Sequence, residues 1–433
     1  MRYLLKTKFF KNFSSIFFAQ LIYKGFAFGV MIFLARYLGA QGFGEFSYGL
    51  SFVWAFLFIS DIGLSELFIR DVAADKKLMV KYVNNSIALK LCLAVASYVF
   101  LAILAMLFCH DGVKFLVVMI LGAAIIIDSN MYFFRCFFRV QEKMHYEAAL
   151  MLVEIIFKCL ILIIVFVTSW QISRVLIVSF AFLLVSAINL VITLGVFLFN
   201  YRTGKIGLEQ KFWGYLLANG FTFVAISILG PINFRVDVLM LSALKDDIAS
   251  GWFSANYRII EQVYIIPFTI AIVSLPMFSR LSGSKNALLS RFNKLLVFQV
   301  LTGIFFTLLL FCFGSYLIKI IFGQEFFGAA ALMPALSFVV LPLFMKPLFE
   351  KIIFSLHGQI LLGLIYGGGL LLNILLNFVF IPRFGVSGAS YATILTEMTI
   401  VILSFLVVNN RISSLNEKMV IASGDDLPGI KEL

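Results

Sequence analysis

The chain has 433 residues, of which 62% are hydrophobic and 13% charged, with a mean hydropathy of +1.05. Soluble domains run near ~45–50% apolar and ~25% charged, so this composition excludes a soluble globular protein and describes a polytopic membrane protein. The net charge of +12 belongs first to the loops that govern membrane insertion, and nucleic acid is not expected as a partner.

Arg2, Lys6, Lys8 and Lys11 precede an apolar run longer than the ~7–15 residues of a signal core, so the first helix is expected to stay as an anchor. Apolar runs long enough to cross a bilayer follow at about residues 12–38, 44–70, 82–108, 113–136, 147–168, 173–199, 212–244, 250–280, 292–322, 328–356, 359–381 and 385–409. The expected fold is all-α, with about twelve transmembrane helices in two six-helix lobes around a central cavity. The stretch Ile22 to Arg70 organises the rest: a helix with Lys24 at its middle, a glycine-rich outer hairpin Ala35–Ser47, and a second helix ending Asp61 to Arg70. Counted from Phe13 at 1.5 Å per residue, Lys24 lies roughly 16 Å deep, about the midplane of a ~30 Å hydrocarbon core.

An even number of spans puts both termini on one side. Sorted by alternating loop, 22 lysines and arginines fall on the side of the termini and six on the other: Arg36, Lys114, Arg174, Lys245, Lys319 and Arg383. The positive-inside rule then places both termini in the cytoplasm and leaves only small outer loops. The halves echo each other weakly: Gly44-Glu45-Phe46-Ser47 opens the second helix and Gly251-Trp252-Phe253-Ser254 the eighth, as in transporters built from parallel repeats. With the boundary in the basic loop Asn200 to Lys211, the expected lobes are 1–205 and 206–409, followed by a cytoplasmic tail, 410–433. All eight prolines fall after residue 230, so the more bent helices are expected in the second half.

Charges within the spans are costly and functional by default. Glu154 with Lys158, Arg258 with Glu261 and Lys346 with Glu350 have helical spacing for local pairs. Lys24, Lys90, Asp61, Asp128 and Glu397 have no such neighbour, and Arg235 and Asp237 sit on different faces of the seventh helix. A bridge from Lys24 to Asp61 would neutralise two of them. Gln20, Tyr23 and Ala27 share the face of Lys24, and Asn256, Tyr257, Glu261, Gln262 and Tyr264 surround Arg258, a mixture suited to a sugar or phosphate. Ser390, Thr393 and Glu397 fall on one face of the last helix, a candidate proton or cation site. Gly25 and Gly29, and the cluster Gly363, Gly367, Gly368 and Gly369, are expected to be packing faces.

No Ser/His/Asp set, carboxylate pair or nucleotide motif has enzymatic spacing, and Gly39–Gly44 is not a phosphate cradle between strand and helix. The five cysteines (Cys92, Cys109, Cys136, Cys159, Cys312) and three histidines are scattered, so neither a metal site nor a cofactor is expected.

Several stretches carry a resemblance: Arg36-Tyr37-Leu38-Gly39, Gly44-Glu45-Phe46-Ser47-Tyr48, Asp61-Ile62-Gly63-Leu64, Ile69-Arg70, Phe138 to Met144, Arg235 to Met240, Gly251 to Arg258 and Ile381 to Ala389. In order and spacing the chain resembles the polysaccharide transporter family, the O-antigen (Wzx-type) flippases of the multidrug/oligosaccharidyl-lipid/polysaccharide exporter superfamily. The resemblance implies a role in surface polysaccharide or lipopolysaccharide biosynthesis: flipping an undecaprenyl-diphosphate-linked oligosaccharide from the cytoplasmic to the periplasmic leaflet by alternating access. It also implies a polysaccharide polymerase and a chain-length regulator as partners. Relatives place cations on helices one and eight, the places held by Lys24 and Arg258. Candidate substrate-binding residues are therefore Lys24, Arg235, Arg258, Tyr257 and Gln20, and candidate ion-coupling or gating residues Asp61, Asp128, Glu397, Asp237 and Glu261. The alternatives are a cation-coupled multidrug exporter of the same superfamily and a membrane polymerase or ligase, which would need a large outer loop.

Overall fold

The structure, a computed structural model, describes residues 2–167, 173–201, 208–281, 284–356 and 358–413. Arg202, Lys205, Lys418, Lys431 and the expected tail beyond Ser413 lie outside these. All regular structure among the described residues is helical, as lipid demands of a chain that must satisfy its backbone groups within each segment. In order the helices are α1 (Arg2–Phe56), α2 (Leu64–Ala74), α3 (Met79–Phe108), α4 (Gly112–Val140), α5 (Met144–Val167), α6 (Arg174–Asn200), α7 (Gln210–Leu244), α8 (Asp247–Leu281), α9 (Lys285–Phe322), α10 (Phe327–Ser337), α11 (Val340–Ser355), α12 (Gln359–Phe384) and α13 (Val386–Ser413).

Among the described residues nine helical stretches are long and apolar enough to cross a membrane, or ten if a bent pair counts as one span. That pair is Gln324–Ser337 and Val340–Ser355, bent by 53°. Pro342 lacks the N–H that would bond the carbonyl of Phe338, where the helix is interrupted. α1 holds two arms, because Gly39 alone leaves the helical region (φ 71°, ψ 179°). With α7, the set is compatible with twelve spans.

The glycine-rich hairpin expected at Ala35–Ser47 is corrected to a one-residue break: both flanks of Gly39 are helical, since a single residue without Cβ can take the positive φ that turns the chain. The second span is not continuous to Arg70 either. A short 3-10 turn, Leu57–Ser60, and positive φ at Ile62 (42°) and Gly63 (71°) separate the second arm of α1 from α2. Asp61 steadies the break, accepting from Ser65 Oγ at 2.7 Å and from Ser65 N at 3.4 Å.

The chain divides into two compact units, residues 1–251 and 252–433; the expected lobe boundary at 205/206 lies outside the described residues. In the first unit, one apolar cluster gathers Phe46, Val53, Leu121 and Val178, and another gathers Phe68, Tyr82, Phe133 and Phe137. α7 is held there at its start. Glu209 N and Trp213 Nε1 both donate to Asn85 Oδ1, at 2.8 and 3.1 Å, and Lys81 pairs with Glu209 at 2.6 Å. Tyr82 and Tyr215 donate to Asp71. Burial alone would raise the Asp71 carboxyl, but bonds from Arg70, Tyr82 and Tyr215 outweigh it and hold the group below its ordinary range. In the second unit Phe292 of α9 packs between Phe278 of α8 and Phe349 of α11, with ring centroids 6.3 and 5.6 Å away.

Candidate functional site

Lys24 is exposed on the first arm of α1, as is Gln20 one turn earlier. Among the described residues Lys24 has no hydrogen-bond or ion-pair partner. The pairing with Asp61 that the sequence allows does not form, because Asp61 takes Lys90, a side chain only 2% exposed, from α3. An exposed ammonium with no protein partner among the described residues is chemically able to hold an anion.

Beside it lies a buried ionic cluster that fixes the rotation of this arm. Glu154 on α5, 4% exposed, accepts from three groups: Tyr23 Oη at 2.8 Å, Lys158 Nζ at 2.6 Å and Arg135 Nη2 at 2.7 Å. Lys158 also reaches Tyr23 Oη at 3.4 Å. Tyr23 precedes Lys24 in the chain, so the cluster sets which way Lys24 faces. Asp128 on α4 adds a buried carboxylate oxygen, Oδ1, that has no partner among the described residues. The i,i+4 pair read for Glu154 and Lys158 therefore exists but is half of a larger network. Arg135 is a buried member of it, on α4, which runs on to Val140.

In the second unit Arg258 pairs with Glu261 at 2.9 Å, as their i,i+3 spacing predicts, and Tyr257 is buried with its ring 5.1 Å from that of Phe253. The expected pair of Lys346 with Glu350 is corrected. Lys346 reaches across from α11 to α13 and donates to both oxygens of Glu397, at 3.1 and 3.0 Å, both side chains being almost fully buried. Glu350 instead accepts from Tyr366 of α12. A buried charge is best satisfied by one bidentate partner on the facing helix, which spacing along a single helix cannot reveal. Ser390 and Thr393 do not turn to Glu397: their hydroxyls bond the carbonyls of Val386 and Ala389 on their own helix. On α7, Asp237 is fully buried and Arg235 half-buried.

Two glycine readings also change. Among the described residues a Cβ added at Gly25, Gly29, Gly363, Gly367 or Gly368 would meet nothing within 4 Å, so the expected packing faces do not form there; of that cluster Gly369 is packed, against Ile400. Sequence reasoning missed Arg135, Tyr23 and Tyr366 as members of the ionic clusters. Only Tyr23, next to Lys24, carried a signal in the sequence; Arg135 and Tyr366 are joined to their partners by packing between helices. Among the described residues no group of three or more His, Cys, Asp or Glu side chains is placed to hold a metal ion.

The model of a family described as "Polysaccharide biosynthesis protein" matches residues 9–282. No curated protein matches the chain. Its fold is shared by solved transporters. An inward-facing multidrug resistance MATE family transporter of the MOP superfamily superposes with a TM-score of 0.73 at 13% identity, over 92% of this chain and 96% of that one. The lipid II flippase MurJ, in an inward closed conformation, gives 0.71 at 13% identity over 93% and 90%. An outward-facing MATE family transporter gives 0.60 at 14% over 93% and 94%. At these identities the likeness shows the fold alone.

Proposed function

The chain belongs to the polysaccharide biosynthesis protein family, and from that premise we propose that it flips an undecaprenyl-diphosphate-linked oligosaccharide, an O-antigen unit or a similar surface polysaccharide precursor, between leaflets by alternating access. The observation that carries this reading is Lys24: exposed, and with no partner of its own among the described residues. A diphosphate supplies the countercharge, and Gln20 adds a polar contact one turn away. Arg258 on α8, with Tyr257 beside it, is a candidate guanidinium for the substrate once an anion displaces Glu261, and Arg235 on α7 is a further candidate cation. Charge-assisted bonds of this kind are shorter and stronger than neutral ones. The family's transporter character fits a protein that is not an enzyme. In vesicles carrying the purified protein, a lipid-linked oligosaccharide added to one leaflet should appear on the other faster than in empty vesicles; equal rates would refute the proposal. The MATE-like fold favours a second reading, a cation-coupled multidrug exporter, in which transport would respond to cationic drugs and not to the diphosphate.

Topology follows from the charge sorting. The segment Asp71 to Lys81 is cytoplasmic and Lys245 to Ser250 periplasmic, with both termini in the cytoplasm of the inner membrane. A cysteine at Lys77 (Lys77→Cys) should resist a membrane-impermeant thiol reagent in intact cells, and ready labelling there would invert the map.

For coupling we propose protonation at Glu397, with Asp128, Asp61, Asp237 and Glu261 as further acids that change partners during the cycle. Neutralising Glu397 would release Lys346, and the loss of a buried ion pair on that scale can shift a helix. Glu397→Gln should make transport independent of the ion gradient while reducing its rate at least tenfold. Unchanged dependence on the gradient counts against Glu397.

A further inference from the structure

Leu208, Glu209, Lys211 and Trp213, at and just before the start of α7, line an open cavity of about 490 Å³, within the ~300–1,000 Å³ of small-molecule sites. All four belong to the first unit. The pair Lys81–Glu209, at 2.6 Å, ties the cavity to the basic segment Asp71 to Lys81, so on the proposed topology it opens at the cytoplasmic end.

The wall of this cavity is fixed before anything enters it. Asn85 of α3, fully buried, donates to the carbonyl of Lys81 at 2.9 Å and accepts on Oδ1 from Glu209 N and Trp213 Nε1, at 2.8 and 3.1 Å. With its one N–H committed to Asn85, the indole has only carbon surface to offer the cavity. The adjoining Phe212 ring is held as firmly, stacked on Tyr215 at 5.6 Å and edge-on to Tyr82 at 5.0 Å.

Around the indole stand one carboxylate and one ammonium, Glu209 and Lys211, both exposed. Their charges cancel, so the lining does not select an anion, which would call for an excess of cations. It suits a neutral ring with an apolar face and a rim of hydroxyls: the face lies on the indole, and the hydroxyls donate to the carboxylate and accept from the ammonium. We propose that the cavity is a glycan subsite, in which a pyranose of the oligosaccharide stacks on Trp213 between Glu209 and Lys211. The proposal rests on the lipid-linked oligosaccharide reading and gives the sugar a recognition element of its own, besides the ammonium of Lys24 for the diphosphate.

The chain has four tryptophans, so replacing Trp54, Trp170 and Trp252 by phenylalanine leaves Trp213 as the sole reporter. In that protein the fluorescence should shift to the blue and saturate on titration with the oligosaccharide repeat released by mild acid from the host's own surface polysaccharide, a probe with neither lipid nor diphosphate. Undecaprenyl diphosphate without sugar should give no shift. Glu209→Gln and Lys211→Ala keep the backbone bond to Asn85, and the exposed pair with Lys81 contributes little to the fold; each should weaken the titration at least fivefold. In vesicles Lys211→Ala should raise the KM for lipid-linked oligosaccharide at least fivefold with the maximal rate kept, a split that a packing role at the start of α7 would not produce. No saturable shift with the released glycan, or titrations of both variants that match the parent, overturns the subsite, and the flippase reading stands if the lipid-linked form is still moved. An equal shift with undecaprenyl diphosphate alone also overturns it, in favour of a headgroup site. Should the glycan bind as stated while the lipid-linked form is not moved, the subsite stands and the flippase reading falls.

Discussion

Lys24→Ala is expected to abolish transport, by at least a hundredfold, while leaving the protein in the membrane at near-normal amounts; Lys24→Arg, which keeps the charge, should retain part of the activity. A charge held at the centre of a membrane span costs about 2.5–3.5 kcal/mol on the insertion scale, a large share of a typical stability of about 5–15 kcal/mol. Lys24 recovers none of that cost from a protein partner among the described residues, so removing it should not weaken the fold. Asp61 is already committed to Lys90. Adding Asp61→Ala to Lys24→Ala should therefore worsen folding, by stranding Lys90, rather than rescue transport. Quantitative membrane yield and a transport assay on the same preparations separate the two effects, and a Lys24→Ala protein that transports normally removes Lys24 from the site.

Glu154→Ala should behave in the opposite way, with a collapse in folded protein. This carboxylate is the common acceptor for Arg135, Lys158 and Tyr23, and its loss leaves two buried cations without their anion. Breaking a buried pair by removing one partner costs about 3–5 kcal/mol, and here two pairs go at once. Thermal unfolding in detergent should shift down sharply, with membrane amounts at least tenfold lower. Replacing Arg135, Glu154 and Lys158 together by leucine should restore much of the folded protein, since apolar groups of similar volume need no countercharge. If the network also aims Lys24, that triple variant will fold without transporting. A Glu154→Ala protein as stable as the parent would show that the cluster carries no load.

The helical class, the membrane setting and the positions of most spans are legible in the sequence because each helix in lipid satisfies its own backbone and must be apolar over a fixed length. Breaks are less so. Gly39 turns the chain with one residue where a loop is expected, and the interruption at Asp61–Gly63 hides within an apolar run. Local charge pairs are legible where both members share a helix, as for Glu154 with Lys158 and Arg258 with Glu261. Pairs between helices are not: Lys90 with Asp61, Arg135 with Glu154 and Lys346 with Glu397 are brought together by tertiary packing, which leaves no spacing to read. Lys24 stands out in the sequence for what it lacks, and the same lack marks it in the structure.

The most direct test of the central claim is the leaflet on which lipid-linked oligosaccharide accumulates when the chain is removed from its host. The flippase reading predicts accumulation on the cytoplasmic leaflet, inaccessible to a membrane-impermeant glycan probe in intact cells and reversed by the parent protein but not by Lys24→Ala. Accumulation on the outer leaflet, or unchanged distribution, would contradict it.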